Sequence, residues 1–136
     1  MPTLKLEIVT PEAKIFSQDV EMVVVPGVEG ELGILPMHIP LMTMIKPGEL
    51  HVTSNGQETF MAVGDGFVEV TGESVTVLTD MAVEEHAIDE TAAEAAVKRA
   101  EEALSGNHLG AEEVASVEAS LQKSLAQLHV KRRHHH

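Results

Sequence analysis

Leu4, Leu6 and Ile8 alternate with Thr3, Lys5 and Glu7, the two-residue period of a strand with one face turned inward. The alternation recurs at Phe60/Ala62, through Phe67 to Val70, and at Val75/Val77, whereas Met22 to Val25 reads as a strand apolar on both faces. Turn signals separate these runs at short intervals: Pro26-Gly27, Pro47-Gly48, Asn55-Gly56, Gly64-Asp65-Gly66 and Gly72. Asn55-Gly56 falls between Leu50 to Thr53 and Glu58 to Val63 and predicts a hairpin, because both turn residues tolerate positive φ. Many short strands with no helix between them predict an antiparallel sandwich or flattened barrel of roughly 80 residues.

The period then changes. Ala93, Ala96, Val97, Ala100 and Leu104 fall at three- and four-residue steps, as do Val114, Val117, Leu121, Leu125 and Leu128. Helices over about 89–105 and about 111–131 follow, divided by Ser105 to Gly110, and they are expected to pair as an antiparallel hairpin. Asp89 is the expected N-cap, with Thr91 and Glu94 offering a capping box two residues later. Alanine lets the two axes approach closely, but each buried methyl contributes only ~0.8 kcal/mol. A hairpin this rich in Ala is held weakly, so movement is expected of it.

Composition puts a boundary at the same place. Residues 1–84 contain all six Pro, eight of ten Gly and three Ala, while residues 85–136 contain no Pro, two Gly and eleven Ala. Val, Ile and Thr together number 26 in the first part and 6 in the second, which favours strands before the boundary and helices after it. The expected division is a β domain over 1–84 and a two-helix hairpin over 85–133, an α+β fold, with His134 to His136 set aside as a purification-tag remnant.

Charge narrows the function. Nine basic and 22 acidic side chains leave a net of −13, which argues against binding nucleic acid or anionic lipid through phosphate neutralisation and points to protein partners. No Cys is present, which removes disulfides, thiolate catalysis and Cys-ligated zinc together. The alternating N-terminus lacks the unbroken apolar stretch of a signal peptide, and no apolar run approaches the ~20 residues that span a bilayer.

No catalytic constellation emerges. The segment Pro26-Gly-Val-Glu-Gly-Glu-Leu-Gly33 is rich in Gly but lacks the Gly-Lys-Ser/Thr ending of a P-loop, and Glu29 and Glu31 would repel phosphate; it reads as a strand-connecting turn. Gly64-Asp65-Gly66 is too short and too poor in acids for a calcium loop. Met37, Met42 and Met44, beside Pro36 and Pro40, read as an adaptable apolar contact surface rather than copper ligands. His38, His51, His86, His108 and His129 lack metal-ligand spacing, and no Gly-x-Ser-x-Gly elbow occurs. A small β domain, a mobile hairpin and no chemistry of its own describe a non-enzymatic interaction or regulatory subunit. In the second helix Glu112, Glu113 and Glu118 lie near the start and Lys123, Lys131, Arg132 and Arg133 towards the end, which complements the macrodipole and leaves a basic tip.

Four stretches resemble the epsilon subunit family of the bacterial F-type ATP synthase, with its chloroplast epsilon and mitochondrial delta relatives. They are Val9-Thr-Pro-Glu-Ala-Lys-Ile-Phe16; Val24-Val-Pro-Gly-Val-Glu-Gly-Glu-Leu-Gly-Ile-Leu-Pro-Met-His-Ile-Pro-Leu41; Ile45-Lys-Pro-Gly48; and Lys98-Arg-Ala-Glu-Glu102 with Ala126-Gln-Leu128. The resemblance implies a ten-stranded β-sandwich at the foot of the gamma subunit, touching the ring of c subunits, and a hairpin that folds against it or extends. It implies a non-catalytic rotor subunit that couples ion translocation to ATP synthesis. Extended towards the alpha and beta subunits, the hairpin would inhibit ATP hydrolysis, its basic tip meeting acidic segments of beta. Such a subunit works at the cytoplasmic face of the bacterial inner membrane, held there by partners and without inserting. The alternative expectation is a free-standing β-sandwich binding module that dimerises through its hairpin.

Carried over residue by residue, Glu31 and His38 match positions of the family's Gly-Glu-x-Gly-x-x-Pro-x-His segment that face the ring. Met37 stands where the family usually has Gly, so its turn must avoid positive φ or accept strain, and its side chain would add an apolar ring contact. Several bacterial relatives bind ATP through an Ile/Leu-Asp-x-x-Arg-Ala motif. The corresponding stretch matches at Ile88, Asp89 and Ala93, but Ala92 replaces the Arg and supplies neither charge nor donor. Arg99 lies further along the helix, where Glu90 and Glu94 disfavour an anion, so ATP binding is expected to be weak or absent and no other cofactor is expected.

Overall fold

The structure is a computed structural model that describes residues 2–106 and 108–134; Asn107 of the expected interhelical turn, and His135 and His136 of the stretch set aside as a tag remnant, lie outside the described residues. The strands are β1 (Leu4–Val9), β2 (Lys14–Val20), β3 (Met22–Gly27), β4 (Gly30–Ile34), β5 (Leu41–Ile45), β6 (Gly48–Ser54), β7 (Gln57–Val63), β8 (Gly66–Val70), β9 (Ser74–Thr79) and β10 (Ala82–Glu84). A 3-10 turn at Glu85–Ala87, which no periodicity announces, leads into α1 (Glu90–Ser105) and α2 (Ala111–Arg133).

The strand order is β10-β7-β6-β3-β5-β8-β9-β1-β2, with β4 also paired to β3. Glu21 N donates to Thr53 O at 2.8 Å and Ser54 Oγ to Asp19 O at 3.1 Å, which brings the β2–β3 corner onto the β6–β7 hairpin and folds the sheet into a sandwich. One pairing departs from the antiparallel expectation: β1 runs parallel to β9. A parallel partner cannot be reached through a tight turn, so no local turn signal announces it.

Alternation places the core. Leu4, Leu6 and Ile8 of β1, Val23 and Val25 of β3, Leu50 and Val52 of β6, and Val75 and Val77 of β9 all point into one buried cluster, while Met22 and Val24 are half-buried on the other face of β3. Asn55 (φ 53) and Gly56 (φ 76) form the two-residue turn that pairs Ser54 with Gln57, as the sequence predicts. On the β1–β2 pair Lys14 Nζ lies 2.7 Å from Glu7, and this hydrogen bond holds the Glu7 carboxyl below the usual carboxylate range. Whatever this exposed pair adds to stability is present above that range and fades as pH falls through it.

Helix entry is set by local chemistry. Asp89 Oδ1 accepts from Ala92 N at 3.0 Å and caps α1 by itself, so the Thr91–Glu94 box is not the cap that forms. At α2, Glu113 Oε1 accepts from Gly110 N at 3.3 Å. The inner stripe of α2 differs from the expected one: Leu125 is 39% exposed, while Ala126, Leu128 and Val130 are buried. The reason is that α2 has two partners. Ala126 and Val130 seat in an apolar patch formed by Ala62 of β7 and Ile88 of the segment leading into α1, bordered by Phe60, Met81 and Val83. Leu128 lies about 200° around the helix from both, on the side away from that patch. The hairpin is thus folded down on the edge of the sandwich made by β6 and β7.

Candidate functional site

The Gly-rich segment forms a β3–β4 hairpin in which Gly27 pairs with Gly30 across a Val28-Glu29 turn. Glu31, exposed, stands opposite Pro26 at the start of β4. Just past the end of that strand His38 N donates to Leu35 O and Met37 N to Gly72 O, each at 3.1 Å. With Pro36 second and Met37 third at φ 67, this is the type II turn pattern, whose third position favours Gly. Met37 therefore accepts the positive φ, at a cost of ~1 kcal/mol, and its side chain is 85% exposed, so no internal packing offsets that cost. Met37→Gly is expected to raise the stability of the isolated protein by roughly 0.5–1 kcal/mol in urea denaturation. Unchanged or lower stability would contradict this reading of the turn.

Six large apolar side chains of residues 28–44 face solvent: Val28, Leu35, Met37, Ile39, Met42 and Met44. Val28 N donates to Met44 O at 3.1 Å, which joins the β3–β4 turn to the outer face of β5. Sequence reasoning found the three Met but missed Val28, Leu35 and Ile39; the available signal was that Leu35 and Ile39 each precede a Pro in a segment without strand alternation. So many exposed large apolar side chains in one segment, with Glu29, Glu31 and His38 among them, make it the candidate protein contact. His38 Nδ1 donates to Ile39 O at 2.7 Å, since a carbonyl only accepts. Glu31 does not cluster with Met37 and His38: about 10 Å of strand separates it from the end of β4.

The four basic residues of the expected tip are all occupied. Lys123 Nζ lies 3.4 Å from Asp80, Lys131 Nζ 3.8 Å from Glu85, and Arg133 Nη1 3.3 Å from Glu49. Arg132 bridges Glu90 at 2.9 Å and Glu94 at 2.6 Å, both on α1. The Glu90 hydrogen bond, with the charges of both carboxylates, raises the guanidinium pKa against partial desolvation and keeps Arg132 charged. His134 joins them: Nε2 donates to Glu49 Oε1 at 2.6 Å and the ring stacks on Phe60 at 3.5 Å, so this residue packs into the fold.

The residues compared with the ATP motif do not converge. Ile88 is buried under α2, the Asp89 carboxylate caps α1, and Ala93 is buried. Arg99 lies ten residues beyond Asp89, about 15 Å along the helix, beside Ser116, Ser120 and Ser124 in a cleft of about 410 Å³ between the helices. Among the described residues no group of three His, Asp or Glu side chains is placed to hold a metal ion, and no helix is long and apolar enough to cross a membrane.

Comparison with known proteins agrees along the whole chain. Residues 3–85 match the family model of the ATP synthase delta/epsilon chain β-sandwich domain, and residues 86–132 that of its long α-helix domain. An ATP synthase epsilon chain of Alkalilimnicola ehrlichii is 44% identical over 94% of this chain and 91% of its own length. One from Dehalococcoides mccartyi is 43% identical over 99% and 98%. Among solved structures, a chain of the Euglena gracilis mitochondrial ATP synthase in its OSCP/F1/c-ring assembly shares the fold at a TM-score of 0.77 and 23% identity, covering 93% of this chain and 79% of that one.

Proposed function

The chain belongs to the ATP synthase delta/epsilon chain family, among epsilon chains, and on that premise we propose how it works. It is a non-catalytic rotor subunit of the central stalk. The β domain, residues 1–84, docks on the gamma subunit and the c-ring and passes torque between them. The hairpin, residues 85–133, is the regulatory part: extended towards the alpha and beta subunits, it inhibits ATP hydrolysis through Lys123, Lys131, Arg132 and Arg133. The subunit sits peripherally at the cytoplasmic face of the bacterial inner membrane, held by its partners.

The observation that carries this reading is the solvent-facing apolar surface of residues 28–44, which a protein acting alone has no reason to display. Within that segment Glu31 and His38 offer a carboxylate and an imidazole to basic and polar loops of the ring, and Met37 adds an apolar contact. Glu31→Lys puts a cation where an anion met those loops and is expected to lower ATP-driven ion pumping at least ~3-fold in membranes containing the assembled enzyme. Unchanged pumping would remove Glu31 from the contact. Copurification of gamma with this chain tests the assignment as a whole; a stable homodimer without affinity for gamma would overturn it.

Nucleotide affinity is expected to be weak. A missing charge-assisted hydrogen bond at Ala92 costs ~1.5–3 kcal/mol, about ten- to a hundredfold in affinity, and Arg99 is too far from Asp89 to replace it. Calorimetric titration with ATP reads this directly, and a micromolar dissociation constant would contradict it.

A further inference from the structure

Lys123, Lys131 and Arg133 each meet a carboxylate that lies outside the two helices. Asp80 comes from the turn between β9 and β10, Glu85 from the 3-10 turn, and Glu49 from β6. The three cations span ten residues of α2, about 15 Å, and enclose the apolar seat of Ala126 and Val130. Two of the three contacts are reinforced. Lys131 Nζ also donates to Glu85 O at 3.3 Å, and Glu49, its side chain only 10% exposed, accepts from both Arg133 and His134. Glu49 pairs with Ala62 across the β6–β7 ladder, which sets its carboxylate at the rim of the seat. Gly64 makes room for the third contact: a Cβ there would collide with the Asp80 carboxylate and crowd the Lys123 side chain.

We propose that these three contacts form an electrostatic latch that holds the hairpin down and occupies three of the four cations the extended hairpin uses. Ionic strength therefore sets how much of the protein is extended. Those three charges, responsible for inhibition on the functional reading above, are then unavailable until the latch opens. The pairs from Arg132 to Glu90 and Glu94 lie within the hairpin and travel with it, so they stiffen the moving part and take no part in the latch. Each exposed pair is worth a factor of ~1.5–5 in the folded-to-extended ratio, and three acting together about tenfold. Screening removes most of that once the Debye length falls from about 30 Å in dilute buffer to below about 8 Å.

Since the chain has no Cys, two introduced ones are its only labelling sites. A donor–acceptor pair on Gln18→Cys and Glu112→Cys in the full-length isolated protein reads the hairpin position without any ATPase partner. Raising KCl from about 0.02 to about 0.5 M should lower the folded-to-extended ratio roughly fivefold. Asp80→Lys should lower it several-fold already in dilute buffer, and adding Lys123→Asp should restore it, an outcome that damage to the fold would not produce. Gly64→Ala, which leaves every charge in place but displaces Asp80, should also weaken the hold. A ratio indifferent to salt, or a charge swap that fails to restore it, overturns the latch. Neither result depends on whether the hairpin inhibits hydrolysis, so the functional reading fails or survives separately.

Discussion

Removing residues 86–136 is expected to raise ATP hydrolysis by the assembled enzyme about fivefold, the lower end of the ~5–150-fold span of ordinary allosteric coupling, while the truncated subunit still assembles. Two features of the fold support this. The sandwich core is built from Leu4 to Val77 and takes no side chain from either helix, so its packing survives the truncation. The exposed apolar side chains of residues 28–44 also lie wholly within the β domain. The truncation removes Ile88 along with Ala126 and Val130 and so uncovers Ala62 with Phe60, Met81 and Val83, and some loss of solubility is expected there. Hydrolysis rates at several ATP concentrations, with assembly checked by copurification, decide the matter. No rise at any concentration would leave the helices a structural role only.

Val130→Asp is expected to have the opposite effect. Val130 is fully buried in the seat against Ala62 and Ile88, where the cluster around it is apolar and Glu49 lies near the rim. Burying an unpaired charge costs ~3–5 kcal/mol, and the hairpin avoids that cost by lifting away. The folded-to-extended ratio should fall at least ~100-fold, and hydrolysis by the assembled enzyme should drop. An intact near-ultraviolet and thermal signature of the sandwich would show that the β domain is unharmed. Hydrolysis equal to the wild type, with the hairpin shown to be lifted, would mean that extension does not inhibit. The two variants thus move activity in opposite directions from the same starting point, which a general loss of stability cannot do.

Much of this molecule was legible from local pattern. Period-two alternation located the inward residues of β1 and β9, whereas at β7 it picked out Phe60 and Ala62, which lie under α2 while Met61 and Val63 fill the sandwich core. Asn55-Gly56 announced the β6–β7 hairpin, and the change of period and composition announced two helices close to their observed limits. The candidate surface was legible in part: closely spaced Met beside Pro36 and Pro40 drew attention to a segment whose Met side chains the fold leaves exposed. These features depend on residues within a few positions of one another, where backbone geometry and side-chain period act directly. The parallel β1–β9 pair, the positive φ of Met37 and the partners of the basic residues are of another kind. Each depends on groups far apart in the chain: β1 reaches β9, Met37 N reaches Gly72 O, and Arg133 reaches Glu49. The residues of α2 alone describe a helix with a basic end and one inner stripe. Only the folded structure, by setting Asp80, Glu85 and Glu49 along that helix and turning Ala126 and Val130 onto the sandwich, decided that the basic end is sheltered and that Leu125 faces water.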